Sequence, residues 1–181
     1  LGHLKAYREE SEFATLEEYQ AYTRTVELRT LSGDLVKSFA ELDIANFLFF
    51  NGVRFEYEKR YPGVSTRYQP DFYLPDFDIW LEHFGISRDG STAPYIDRQK
   101  YQEGMRWKRG IHAKNRTKLL ETYSWEKSEG ILTTELNKRL RSAGVQYAPR
   151  TQDDIFKALQ NAGYTTQLAV LVGTFLSHFK S

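Results

Sequence analysis

Apolar positions recur with helical spacing near the start of the chain. Thr15-Leu16-Glu17-Glu18 is a capping-box signature, in which a hydroxyl and a carboxylate satisfy orphan N–H groups, and Leu16, Tyr19, Tyr22 and Val26 follow at helical period. This predicts a helix over about 15–29. Ser38-Phe39-Ala40-Glu41 repeats the signature, with Leu42, Ala45, Leu48 and Phe49 as the buried stripe and Asn51-Gly52 as the stop, which predicts a helix over 38–51. The period then changes. From Val53 to Tyr61, Phe55, Tyr57 and Tyr61 alternate with Arg54, Glu56 and Glu58, the pattern of a half-buried strand, and 62–67 reads as loop.

Residues 68–84 read as two strands around Pro75-Asp76, where proline suits the first central position of a type I turn. With a two-residue loop, Leu74 faces Phe77, Tyr73 faces Asp78 and Asp71 faces Trp80. Phe72, Leu74, Phe77, Ile79 and Leu81 then share one apolar face, while Asp71, Tyr73, Asp78, Trp80 and Glu82 share the other. Asp71 and Glu82 become diagonal neighbours, about 7 Å apart at the backbone. Downstream, Asp97 caps a helix reaching about Lys114, with Tyr101, Met105, Ile111 and His112 as its inner stripe and Lys108 inside that stripe. A short strand is expected over 117–124, a helix over 129–143 stopped by Gly144, another from Thr151 to Gly163, and an apolar helix over 166–179. The order helix, strand, strand, strand, helix, strand predicts a mixed α/β sheet with an antiparallel hairpin at its centre.

Two carboxylates aimed at one place are suited to Mg²⁺ or Mn²⁺, hard cations that take oxygen ligands and leave positions for water and a phosphate oxygen. Asp71 and Glu82 are therefore the candidate metal ligands, with Glu41 as a third carboxylate and Lys108 as the group that offsets charge developing on a phosphodiester. Each has a plainer role open to it. A capping box needs Glu41 at its position in any case, Asp71 follows Pro70 in a common turn pair, Glu82 can pair with His83, and Lys108 can snorkel to solvent. His83 and His112 lack the spacing of a zinc site and are expected to be packed or hydrogen-bonded. The run Arg106, Lys108, Arg109, Lys114, Arg116, Lys118, with Trp107 among it, suits a nucleic-acid backbone; an ordinary solvated face accounts for it equally well.

Composition narrows the picture. Among 181 residues there are 12 Phe, 12 Tyr and 3 Trp, enough apolar area to offset chain entropy and to exclude a disordered chain. Lys and Arg total 25 against 24 Asp and Glu, so a polyanion must be held by a local patch rather than by overall charge. The absence of cysteine excludes disulfides, a thiolate nucleophile and sulfur-ligated zinc, in keeping with a cytoplasmic setting. No apolar run is long enough to span a membrane and no signal peptide opens the chain. With Leu1 first and Met105 the only methionine, the chain reads as a piece of a longer protein.

The segment from Ser38 to Tyr123, with Glu41 on a helix, Pro70-Asp71-Phe72, and Glu82 on the next strand, resembles the PD-(D/E)XK nuclease fold, also called restriction-endonuclease-like. More specifically, RTLSGDLVKSFAELDIANFLFFNG (29–52), QPDFYLPDFDIWLEHFGI (69–86) and LVGTFLSHFKS (171–181) are similar to a nuclease-like insertion of bacterial superfamily 1 DNA helicases of the UvrD/Rep type. The resemblance implies a restriction-endonuclease-like mixed sheet over 38–144, with helical segments of the helicase body at 1–37 and 145–181. It also implies Mg²⁺ or Mn²⁺ on Asp71 and Glu82, catalysis by Asp71, Glu82, Lys108 and Glu41, and DNA contacts from Arg106, Trp107, Arg109 and Lys114. The chain departs from the nuclease pattern at Phe84, where the motif's lysine is expected, and Lys108 is the substitute. No GxxxxGK[ST] loop occurs, so ATP hydrolysis would belong to the parent protein. Two functions follow: a metal-dependent DNA nuclease domain, or a catalytically silent insertion that binds DNA or a partner.

Overall fold

The structure is a computed structural model that describes residues 8–161 and 163. Two helices precede the sheet. Thr15 Oγ1 accepts the Glu18 N–H at 3.2 Å and starts α1 (Leu16–Val26). Ser38 Oγ does the same for Glu41 at 3.2 Å and starts α2 (Phe39–Phe50). α1 stops short of the expected 29 because Glu27 adopts a left-handed conformation. The mixed sheet has four strands in the order β1 (Glu56–Tyr57), β2 (Phe72–Leu74), β3 (Ile79–Phe84), β4 (Lys118–Tyr123). The first three are antiparallel, and β4 runs parallel to β3 after a crossover through α3 (Arg98–Asn115), which is capped by Asp97. α4 (Ser124–Ser128), α5 (Leu132–Ser142) and α6 (Gln152–Asn161) follow. α5 is the helix expected over 129–143, started only at Leu132, after Gly130 at positive φ, and α4 ahead of it was not expected. The expected helix over 166–179 lies outside the described residues.

The hairpin keeps its predicted faces but not its predicted turn. Phe72 pairs with Leu81, Tyr73 with Trp80 and Leu74 with Ile79, an offset of two residues from the expected register. Pro75–Asp78 form the loop, with Asp78 at φ 51°. Because side-chain direction has period two, the offset leaves every residue still in the strands on its expected face, while Phe77 and Asp78 pass into the loop. The apolar face holds Phe72, Leu74, Ile79 and Leu81, covered by Ala40, Ile44, Ala45 and Leu48 of α2 and Leu132, Leu136 and Leu140 of α5. Phe77 packs at its margin.

The opposite face was expected to be polar, yet it is a second core beneath α3. Trp80 is buried there with Tyr61 and Tyr68, against Ile111 and Leu119. Tyr61 reaches that face because the strand expected over 53–61 is regular only at Glu56–Tyr57. Glu58 sits at φ 48° and breaks the alternation, so Phe55 and Tyr57 pack against Phe72 while Tyr61 meets Trp80 from the other side. The result is three layers, with α2 and α5 on one face of the sheet and α3 on the other. The C-terminal segment docks on the end of α2, where Ala148 N–H donates to Asn51 O and Arg150 N–H to Phe50 O, each at 3.0 Å. No helix among the described residues is long and apolar enough to cross a membrane.

Candidate active site

The offset in the hairpin sharpens the carboxylate pair. Continued by one residue, the register sets Asp71 directly opposite Glu82 rather than diagonal to it. Asp71 lies just outside β2, and its Oδ2 accepts the His83 N–H at 2.6 Å, which ties the carboxylate to the end of β3. Glu82 points from β3 toward α3. It is 1% exposed, and its Oε2 accepts from Lys108 Nζ at 2.8 Å. Lys108 reaches it because Tyr101, Met105 and Lys108 fall on one stripe of α3. The ammonium also stands 5.5 Å from the ring centroid of Phe84, the position at which the nuclease resemblance expects a lysine. Lys108 therefore turns to the acid pair, with about a third of its side chain, 32%, left exposed.

Glu82 Oε1 is the one buried side-chain polar atom among the described residues with no hydrogen-bond partner. The Tyr68 hydroxyl is near enough to act electrostatically on Glu82, but its hydrogen-bond partner is His112 Nε2 at 3.1 Å. Burial raises the Glu82 proton affinity above the usual carboxylate range, and Lys108 and Tyr68 oppose that rise. Asp71 is raised well above its ordinary value, first by burial and then by the charges of Glu41 and Glu82, with the His83 N–H and Lys108 pulling the other way. Glu41 is raised by burial, against hydrogen bonds from Tyr57, Lys37 and Ser38. Asp71 and Glu82 thus share the field of the Lys108 ammonium, while Glu41 answers to Lys37, and the pair holds one more carboxyl than that ammonium can neutralise.

Glu41 is the least available of the three. Its Oε1 accepts from Ser38 Oγ at 2.9 Å, and its Oε2 from the Lys37 N–H at 3.0 Å and the Tyr57 hydroxyl at 2.5 Å. These bonds anchor the start of α2, although Glu41 takes the Lys37 N–H and not the Ser38 N–H that a capping box would use. Among the described residues no three His, Asp or Glu side chains stand close enough together to hold a metal ion. A cation here would rest on two carboxylates and complete its shell with water or substrate oxygens.

Both histidines are packed and hydrogen-bonded, as expected. His83 contacts Thr122 Oγ1 at 3.0 Å and Ser124 Oγ at 3.2 Å, and burial lowers its pKa to about 4. His112 lies between Tyr68 and Thr117 and is also lowered to about 4 by burial. The predicted DNA contacts divide. Arg106 and Lys114 are exposed on α3, and Trp107, 43% exposed, sits edge-on to Tyr68. Arg109 is already committed to a bidentate pair with Glu121 at 2.6 and 2.7 Å.

Beside the acid pair, outside the carboxyl ends of β3 and β4, lies a cavity of about 250 Å³. Glu41 and His83 form the wall nearest the carboxylates, and Tyr101, Gly85, Ser124 and Ile96 line much of the rest. Tyr101 was legible only as a residue of the inner stripe of α3. Its hydroxyl accepts the Gly85 N–H at 2.6 Å, and its own proton finds no acceptor among the described residues. No family model, curated protein or solved structure matches the chain.

Proposed function

We propose that the chain is the part of a DNA helicase that carries a restriction-endonuclease-like domain, and that this domain hydrolyses phosphodiester bonds of DNA with Mg²⁺ or Mn²⁺. The observation that carries the reading is the Lys108 ammonium on Glu82 Oε2 at 2.8 Å, with Glu82 Oε1 buried and unpartnered and Asp71 alongside. A lysine delivered from α3 to the acid pair does the work that Phe84 cannot.

A divalent cation suits this donor set. Glu82 Oε1 lacks any partner, Asp71 Oδ1 accepts no hydrogen bond among the described residues, and the surplus of carboxyl over ammonium calls for positive charge. Asp71 and Glu82 would hold the ion, which supplies a lowered pKa for a bound water and charge neutralisation at phosphorus. Lys108 stabilises the negative charge that builds on the phosphate oxygens. The His83 N–H fixes the direction of the Asp71 carboxylate, and the Tyr68 and Phe84 rings flank the Lys108 ammonium, their centroids 5.7 and 5.5 Å away. Arg106, Trp107 and Lys114 on the outer surface of α3 would grip the DNA backbone.

The test is cleavage of single- and double-stranded DNA with Mg²⁺ or Mn²⁺. Activity should be lost in Asp71→Asn and fall by about two orders of magnitude in Lys108→Ala, with DNA affinity little changed. A second reading, a silent insertion that binds DNA or a partner, is favoured by one observation: Lys108 already neutralises Glu82 without a cation. DNA binding without cleavage under every metal condition would select it.

A further inference from the structure

We infer that the cavity at the carboxyl ends of β3 and β4 receives one unpaired nucleotide of the DNA strand, with the Tyr101 hydroxyl as its hydrogen-bond donor. The inference rests on the nuclease reading for the identity of the ligand, and on the cavity for everything else. In a βαβ unit the carboxyl ends of parallel strands, with the crossover helix beside them, form the crevice where ligands bind. β3, α3 and β4 make such a unit, and the nuclease roles assigned to Glu82 and Lys108 leave its crevice unused.

The dimensions admit the ligand: a cavity of about 250 Å³ has room for one nucleotide. The cavity lies near the acid pair, because His83, which binds Asp71 through its N–H, and Glu41, whose charge acts on Asp71, both belong to the wall. A phosphate held at Asp71, Glu82 and Lys108 would then have its neighbouring sugar and base close to the cavity.

The lining suits a base. Phe39 and Ile96 supply apolar surface, and Glu10 Oε2, the oxygen not bound by the Tyr95 hydroxyl, supplies an acceptor for an exocyclic amine. Tyr101 supplies the donor: burial, and then the charges of Asp71, Glu10 and Glu82, keep its hydroxyl protonated well above neutral pH. The open space depends on Gly85. A Cβ there would stand 3.5 Å from Tyr101 Oη, 3.7 Å from Glu10 Oε2 and 4.0 Å from Ser124 Oγ, an ordinary fit, so a larger side chain would fill the cavity without backbone strain.

The experiment uses the full chain carrying Asp71→Asn, in EDTA, so that neither cleavage nor a cation enters the measurement. Fluorescence anisotropy compares a short single-stranded oligonucleotide with the same sequence in a blunt duplex. The single strand should bind about tenfold tighter, the affinity expected of one stacked base. Gly85→Leu should erase that preference and Tyr101→Phe should weaken single-strand binding about threefold, with melting temperatures showing that both variants fold. Equal binding of the two DNAs, or a folded Gly85→Leu protein that keeps its preference, would overturn the inference. Cleavage by the wild-type chain is scored separately. Preference lost on filling the cavity, with no cleavage under any metal, supports the cavity and sinks the nuclease reading. Cleavage that Gly85→Leu leaves intact, with binding also intact, does the reverse.

Discussion

Replacing Lys108 by Met keeps the stem that packs along α3 and removes the only cation that touches Glu82. Glu82 is 1% exposed, and after the change neither of its oxygens would have a hydrogen-bond partner. Breaking a buried pair costs about 3–5 kcal/mol when the remaining charge stays buried. The Lys108 side chain is 32% exposed, so solvent already screens part of the interaction and about 3 kcal/mol is the reasonable figure at pH 8. The cost must depend on pH. The Glu82 carboxyl is raised by burial even with Lys108 present, and removal of the ammonium raises it further. A carboxyl whose folded-state pKa exceeds its unfolded value binds protons more tightly in the native state, so stability falls as pH rises through the raised value. At pH 5, where a protonated Glu82 can be buried neutral, the cost should shrink to about 1 kcal/mol. Urea denaturation of wild type, Lys108→Met, Glu82→Gln and the double variant at both pH values closes the cycle. The double variant should recover most of the loss at pH 8, with a coupling of at least ~1.5 kcal/mol. Equal losses at pH 5 and pH 8, or no coupling, would refute the assignment of Lys108 as the partner of a charged Glu82.

Asp71→Asn should abolish Mn²⁺ binding in a calorimetric titration and leave the fold intact, since Asp71 lies outside both hydrophobic clusters; a variant that binds Mn²⁺ as wild type does would remove Asp71 from the donor set. His112, lowered to about 4 by burial, binds its proton less tightly when folded. Its contribution to stability is complete above pH 6.5 and is lost as pH falls toward 4, so His112→Asn should flatten the acid limb of a melting-temperature profile. Gly52→Ala should lower the melting temperature by several degrees, because its φ is +66° and a Cβ would stand 1.9 Å from Ala148 O, displacing the C-terminal segment from α2. Arg139→Met should cost about 3–5 kcal/mol in urea, since it leaves the fully buried Glu126 without the guanidinium that donates to Glu126 Oε2 at 2.9 Å.

The face assignments along 71–82 were legible because they depend on parity alone, and parity survives a turn that is two residues longer than expected. Turn length itself was not legible: Asp78 adopts a left-handed conformation that Asp tolerates without requiring, so nothing in Pro75-Asp76 announces it. Glu58 misled for the same reason, and its single conformational change reversed the side on which Tyr61 lies. Lys108 could be placed by helical spacing, but whether its ammonium met solvent or Glu82 turned on the distance between α3 and the sheet. Arg109 looked equally free in the sequence and is consumed by Glu121, a partner on β4 that only the parallel pairing brings near. Tyr101 belonged to an expected apolar stripe. The value of its hydroxyl depends on the Gly85 N–H at the end of β3, a tertiary neighbour with no local signal.

The parallel pairing of β3 and β4 also governs the order in which the molecule is made. The β2–β3 hairpin closes over a short loop and brings Asp71 to His83 early, with Glu82 beside it. β4 can add only after the crossover from Gly85 to Thr117 has formed and docked, a non-local step that is slow compared with hairpin closure. By that order the acid pair stands without its ammonium until α3 docks, its two carboxyls together with no counter-charge. Lys108 is thus a late arrival in folding as well as a participant at the site, and the refolding rate should carry the pH signature of the carboxyls it has yet to meet.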